Sequence, residues 1–181
     1  MIFFWTKSSK IGSRLIRWGL GEDCSHFAIG FFEDSNDPRV LESRLENGVR
    51  DVSFSEFISD GKKIIHAIQW PEIGVEENRV YTYIKNEIEG RPYDAPAVIF
   101  WALAGIKRKL FGGGFPIKND WGRDELFYCV EIVSAMPRDL LEDFGLEFLK
   151  DDIEMMSPHQ VFDELRFSDL RDITEAFQCR K

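Results

Sequence analysis

Three cysteines and three histidines are the side chains of this 181-residue chain best suited to nucleophilic or proton-transfer chemistry. Cys129 lies in Phe127-Tyr-Cys-Val-Glu-Ile-Val133, just after the glycine-containing stretch Asp120-Trp-Gly-Arg-Asp124. The apolar spacing predicts a helix over Phe127 to Ala135. First-turn amides there would stabilise a thiolate and polarise a substrate carbonyl. The competing reading is a small buried hydrophobe, the usual role of a cysteine on an apolar helix.

His26 stands in Cys24-Ser-His-Phe-Ala-Ile-Gly30, a predicted strand. Alternation groups it with Ala28 and Gly30 rather than with Phe27, Ile29 and Phe31, so its face leaves room for a close neighbour. His66, between Ile65 and Ala67, reads as structural, and His159 as part of a surface helix. His26 is therefore the better base. A carboxylate one strand away would fix its tautomer, since paired residues on one face lie about 5 Å apart. Glu42 and Glu46 share the parity that requires, and register is not readable from sequence.

Ser-His-Phe-Ala-Ile, then Leu41-Glu42, then Phe-Tyr-Cys-Val-Glu-Ile-Val resemble the YiiX-like branch of the permuted papain-like (NlpC-type) cysteine hydrolases. Ser13-Arg-Leu-Ile-Arg-Trp18 resembles the segment that leads into the histidine strand there. The resemblance spans roughly residues 8 to 135. It implies a Cys129–His26–Glu42 triad, and the spacing from Glu42 to Gly48-Val49 favours Glu42 over Glu46. That branch often has Ser after the cysteine; here Val130 replaces it and Glu131 is kept. Tyr93 is similar to a cleft-lining position, although Asp94 beside it also suits a helix cap. Ser25 and Tyr128, next to the histidine and the cysteine, complete the candidate substrate-binding residues.

What the resemblance implies is a cysteine peptidase or amidase that cleaves a peptide, isopeptide or acyl-amide bond through an acyl-enzyme. A lipid acyl hydrolase or acyltransferase of the same fold is the alternative, as in lecithin:retinol acyltransferase relatives. A binding module that has lost its chemistry is a third reading, and an acidic scaffold acting through exposed aromatic patches a fourth. No metal and no organic cofactor is implied. The partner expected is a peptide-like or acylated small substrate.

These side chains need elements to position them. The pattern predicts a short strand over residues 1–5, a helix from Ser8 to Leu20 ended by Gly19 and Gly21, and strands at Ser25–Glu33, Arg39–Leu45 and Val49–Phe54. Turns fall at Asp34-Ser-Asn-Asp-Pro38 and Asn47-Gly48. A short helix at Ser55–Ser59, a strand at Lys63–Trp70, and helices at Glu76–Glu89 and Ala95–Leu110 follow. Gly112 to Gly122 reads as a loop, Pro137 as the start of another helix, and Ser157-Pro158 as the opening of the last. Helices and consecutive strands without βαβ alternation make an α+β fold, an antiparallel sheet packed against helices that include the one bearing the nucleophile. We expect one domain over 1–181, with 137–181 as a helical elaboration.

Composition excludes several classes. Hydrophobic residues at 44%, sixteen Phe and five Trp supply an aromatic core and exclude general disorder. A net charge of −9 and a pI near 4.9 disfavour nucleic acid and anionic membrane surfaces as partners. Lys107-Arg108-Lys109 complements the C-terminus of the helix it ends. No run reaches the ~18 apolar residues of a spanning helix, and residues 1–5 lack the length of a secretory leader. The cysteines show neither a disulfide framework nor metal-ligand spacing, which fits a reducing, cytoplasmic setting.

Overall fold

The computed structural model describes residues 1–32, 38–112, 126–143, 145–147, 153, 156–166, 168 and 170–178, without the side chains of residues 72 and 75. Two predicted loops, at 34–37 and 113–122, lie outside these residues, as does Cys179. The fold is mixed α+β around a six-stranded antiparallel sheet of order β4-β3-β2-β1-β5-β6.

Alternation in the apolar strands gives the sheet two buried faces. β1 (Ile2–Lys7) and β2 (His26–Phe31) lie at its centre. Phe3, Trp5, Phe27, Ile29 and Phe31 enter one core, with Val80, Ile84 and Ile88 of α3 (Glu77–Ile88) and Cys129. Phe4, Ala28, Val40, Val52 and Ala67 enter a second core on the other face, beneath Phe57 of α2 (Phe54–Ser59). β3 (Arg39–Arg44) and β4 (Gly48–Ser53) form a hairpin with Arg44 opposite Gly48. Gly48 adopts φ +67°, and a side chain there would run into the Arg91 carbonyl, so the turn admits only glycine without rearrangement.

α1 (Ile11–Leu20) and α4 (Ala95–Phe111) run beside one another. Their crossing is close because Gly105 faces the backbone of Gly19, and a Cβ at 105 would overlap Gly19's carbonyl oxygen. Asp94 caps α4, its carboxylate accepting from the Ala97 amide at 2.9 Å with Pro96 in the first turn.

Beyond residue 136, α5 (Arg138–Asp143) and α6 (Pro158–Arg166) occupy the predicted helical region. Ser157 and Gln160 cap α6 reciprocally: Ser157 N–H donates to Gln160 Oε1 at 2.8 Å, and Gln160 N–H to Ser157 Oγ at 3.3 Å. The chain then adds two elements the sequence pattern did not predict, the edge strand β6 (Arg171–Asp172) on β5 (Lys63–Gln69) and the short helix α7 (Thr174–Gln178). Two-residue strands leave no periodicity to read.

The segment expected as a helix over 127–135 folds otherwise. Residues 126–128 are irregular, Cys129 and Val130 form a turn, and only Glu131–Ala135 is helical, as a 3₁₀ turn. Tertiary bonds hold it open: Phe127 N–H donates to Pro92 O at 3.1 Å, and Ser43 Oγ donates to Phe127 O. Glu131 Oε2 accepts from Tyr128 N–H at 2.9 Å, like the acidic arm of a capping box. Pro137 stops any continuation.

Candidate functional site

Antiparallel pairing brings His26 and Glu42 together. β2 and β3 align with Ala28 opposite Glu42, and the carboxylate reaches along the face so that its Oε2 lies 2.6 Å from His26 Nε2. Glu42 is fully buried and serves two cations as well. Arg50, opposite it across the β3–β4 hairpin, donates from Nε at 3.0 Å and Nη2 at 2.6 Å to Oε1. Lys62 Nζ donates to Oε2 at 2.6 Å and sits over the Phe57 ring. Burial pushes the Glu42 carboxyl upward, yet the His26 hydrogen bond, the His26 charge and Lys62 together hold it well below the usual carboxylate range. The ionised Glu42 accepts from Nε2–H, the tautomer in which Nδ1 is the nitrogen that can take up a proton. Glu46, the other carboxylate of matching parity, is exposed and pairs with Lys10 at 3.9 Å and Arg44 at 3.5 Å.

His26 lines a cavity of about 420 Å³ at the end of the sheet where β2 begins. Ser13, Ser25, Lys62, Tyr93 and Ile99 also line it. Ser25 Oγ lies 2.5 Å from Ser13 Oγ, which accepts from Arg17 Nη1 at 2.7 Å. Thr6 belongs to the same wall, and its buried hydroxyl has no hydrogen-bond partner among the described residues.

Cys129 stands elsewhere. It belongs to the core on the Phe27 face, whereas strand parity sends His26 out on the Ala28 face. Its sulfur borders a void of about 20 Å³ beside Leu20, Trp101 and Pro158. Ile16, Ser25, Tyr93 and Val98 line both spaces and are the partition between them. The expected lowering of the thiol pKa does not occur. Burial pushes the thiol up to about 12, and backbone hydrogen bonds from Phe27, Val130 and Cys129 itself only partly oppose it. The thiol, 4% exposed, is protonated at neutral pH, so the helix N-terminus inferred from sequence is replaced by a desolvated turn.

Tyr93, bordering both spaces, has its phenol pushed well above the ordinary value by burial and by Cys129. Tyr128 is buried, its hydroxyl within reach of the carbonyls of Ile153 at 3.1 Å and Met156 at 3.0 Å. It anchors that segment while its side chain closes the small void.

Arg50 and Lys62 were missed in the sequence. Arg50 was recoverable: a three-residue turn at 45–47 pairs 44 with 48 and so 42 with 50. Lys62 precedes β5 and carries no local signal.

No protein-family model and no curated protein matches this chain. Among solved structures, the chain is similar in shape to the metalloprotein YiiX from Escherichia coli O157:H7. The two are 16% identical, the alignment covers 95% of this chain and 93% of that one, and the TM-score is 0.43. That likeness assigns no chemistry to the residues described above.

Proposed function

We propose that the protein is a cysteine hydrolase of the permuted papain-like class, cleaving an amide or related acyl bond with Cys129 as nucleophile, His26 as base and Glu42 as the group that orients it. The observation that carries this reading is the imidazole held by a buried, ionised carboxylate at the wall of a cavity sized for a small ligand. The motif resemblance around His26, Glu42 and Cys129 supports it.

This mechanism requires more than the parting of Ile16, Ser25, Tyr93 and Val98: the start of β2 at Ser25 and His26 must turn as substrate enters, so that the imidazole comes round to the face of the thiol. The Cys129 sulfur attacks the acyl carbon while its proton passes to His26. Amides around the sulfur hold the developing oxyanion. Collapse expels the amine or alcohol, which takes the proton from His26. Water, deprotonated by His26, then hydrolyses the thioester and restores the thiol. Turnover of a panel of acyl amides and esters tests this reading. Cys129→Ser and His26→Gln should each lose about 10² to 10⁴ in kcat. Full turnover by Cys129→Ser would remove it.

A lipid acyl group as substrate is the second reading, favoured by one surface. Ile99 lines the cavity and begins an exposed stripe, Ile99, Leu103 and Leu110, at helical spacing along α4. α1 adds Ile11, Leu15 and Trp18, and Lys109 lies over the Trp18 ring at 5.0 Å. Residues 10–21 and 95–111 contain six Lys or Arg and no Asp or Glu, so the acidity of the whole chain is absent from this pair of helices. Among the described residues no helix is long and apolar enough to cross a membrane. Faster turnover of long-chain substrate in anionic vesicles than of soluble short-chain esters, lost in Leu103→Glu, favours this reading; equal rates exclude it.

A further inference from the structure

On the far side of β1 from the His26–Glu42 pair, a second group of side chains gathers from three distant segments. Asp23 and Cys24 lie in the connection between α1 and β2, His66 on β5, and His159 in the first turn of α6. We propose that Asp23, Cys24, His66 and His159 form a binding site for one divalent transition-metal ion of the zinc class, which joins this connection, the sheet and α6.

The ligand atoms of Asp23, Cys24 and His159 all lie within 4.8 Å of one another. A tetrahedral zinc site with bonds of about 2.0 to 2.3 Å sets its ligands about 3.3 to 3.6 Å apart. Rotation of these side chains through about an ångström closes that difference. His66 Nε2 is 3.6 Å from Asp23 Oδ2, already at the separation of two ligands on one ion.

Two further observations point to a ligand rather than to packing alone. Nε2 of His66 and Nδ1 of His159 are both buried and, among the described residues, have no hydrogen-bond partner, a costly state for imidazole nitrogens that a metal bond would relieve. Both rings are fixed in place by Phe162: His66 stacks on it at 4.0 Å between centroids and His159 at 5.9 Å. The opposite nitrogen of His159, Nε2, is 3.7 Å from Asp163, the outer carboxylate that metal-bound histidines commonly have.

The arrangement is braced around the ligands. Glu22 accepts from Ser157 Oγ and, at 3.3 Å, from the His159 amide, tying the start of α6 to the residue before Asp23. Trp5 Nε1 donates to Pro158 O at 2.5 Å. One sulfur, two imidazoles and one carboxylate suit Zn²⁺ and exclude Mg²⁺ or Ca²⁺, which take oxygen ligands. Cys24 is fully buried while Asp23 is exposed, which gives the ion an entry from one side. Asp23, Cys24 and His159 are the three ligands already gathered, and His66, beside Asp23 but outside that group, is the fourth that closes a structural site.

The test uses the full chain, stripped with chelator and titrated with Co²⁺ as a spectroscopic probe and with Zn²⁺ in competition. The expected result is one ion per chain, with a thiolate-to-cobalt charge-transfer band and visible bands of tetrahedral intensity, bleached by Zn²⁺. Cys24→Ser should abolish the charge-transfer band, and His66→Gln or His159→Gln should weaken binding about 100-fold or more. Cys129→Ser should leave the band intact. His159 is partly exposed, so its variant is the one expected to stay folded, with far-ultraviolet circular dichroism as the check. Absence of the band in the wild type, its loss in Cys129→Ser instead of Cys24→Ser, or unchanged affinity in folded His159→Gln would each overturn the site.

Discussion

Replacing Glu42 by Gln probes the group on which the candidate site is built. The wild-type carboxylate is fully buried and accepts from His26 at 2.6 Å, from Arg50 at 2.6 and 3.0 Å and from Lys62 at 2.6 Å. Glutamine fills the same volume but removes the charge and turns one oxygen into a donor. Arg50 and Lys62, with side chains 19% and 7% exposed, then keep only the more exposed Glu56 and Asp60 as anions. Breaking a buried ion pair from one side costs about 3 to 5 kcal/mol. At about 2 to 4 °C per kcal/mol for a chain of this size, melting should fall by roughly 6 to 20 °C. Urea denaturation should show a lower midpoint with unchanged slope.

The pH dependence carries a sign. Glu42 is held below its ordinary value of 4.5 in the folded protein, so its stabilisation is complete above that pH and is lost as pH falls toward the folded value. The gap between wild type and Glu42→Gln should therefore be widest above about pH 4.5 and narrow in acid. A change below about 1 kcal/mol, or a gap that widens on acidification, would show that Glu42 does not hold these cations as a buried anion. Lys62→Met added to Glu42→Gln should recover part of the loss, because it removes the more buried of the two cations that have lost Glu42.

Two further outcomes follow from packing and burial. Gly105→Ala should destabilise by about 1 to 3 kcal/mol, since its methyl meets backbone that cannot swing aside; a neutral effect on thermal melting would show that α1 and α4 separate freely. Native Cys129, with a thiol near 12, should alkylate at pH 7.5 roughly three orders of magnitude more slowly than in urea, as followed by peptide mass mapping; equal rates would show the sulfur to be open. A substrate analogue that fills the cavity should raise the native rate.

The alternation of Phe27, Ile29 and Phe31 with His26, Ala28 and Gly30 was enough to place β2 and its two faces, because side-chain period in a strand is fixed by the backbone. What it left open was register: Glu42 and Glu46 are equivalent until the hairpin turn and its Gly48 contact are known. The helix at 127–135 was misread because Val130, Ile132 and Val133 satisfy a helical pattern equally well when every side is buried. Hydrogen bonds from Ser43 and to Pro92, both distant in sequence, decide that segment. The same limit hid the Asp23–Cys24–His66–His159 cluster, whose members share no spacing.

On the proposed mechanism the acyl group of the substrate is carried on the Cys129 sulfur. Rapid acid quench during turnover, followed by peptide mass mapping, tests it most directly. The expected result is a thioester mass on the peptide containing Cys129, formed at a rate sufficient for turnover and absent from His26→Gln. Turnover with the acyl mass on another residue, or with no acylated peptide while Cys129→Ser works as well as wild type, would contradict it.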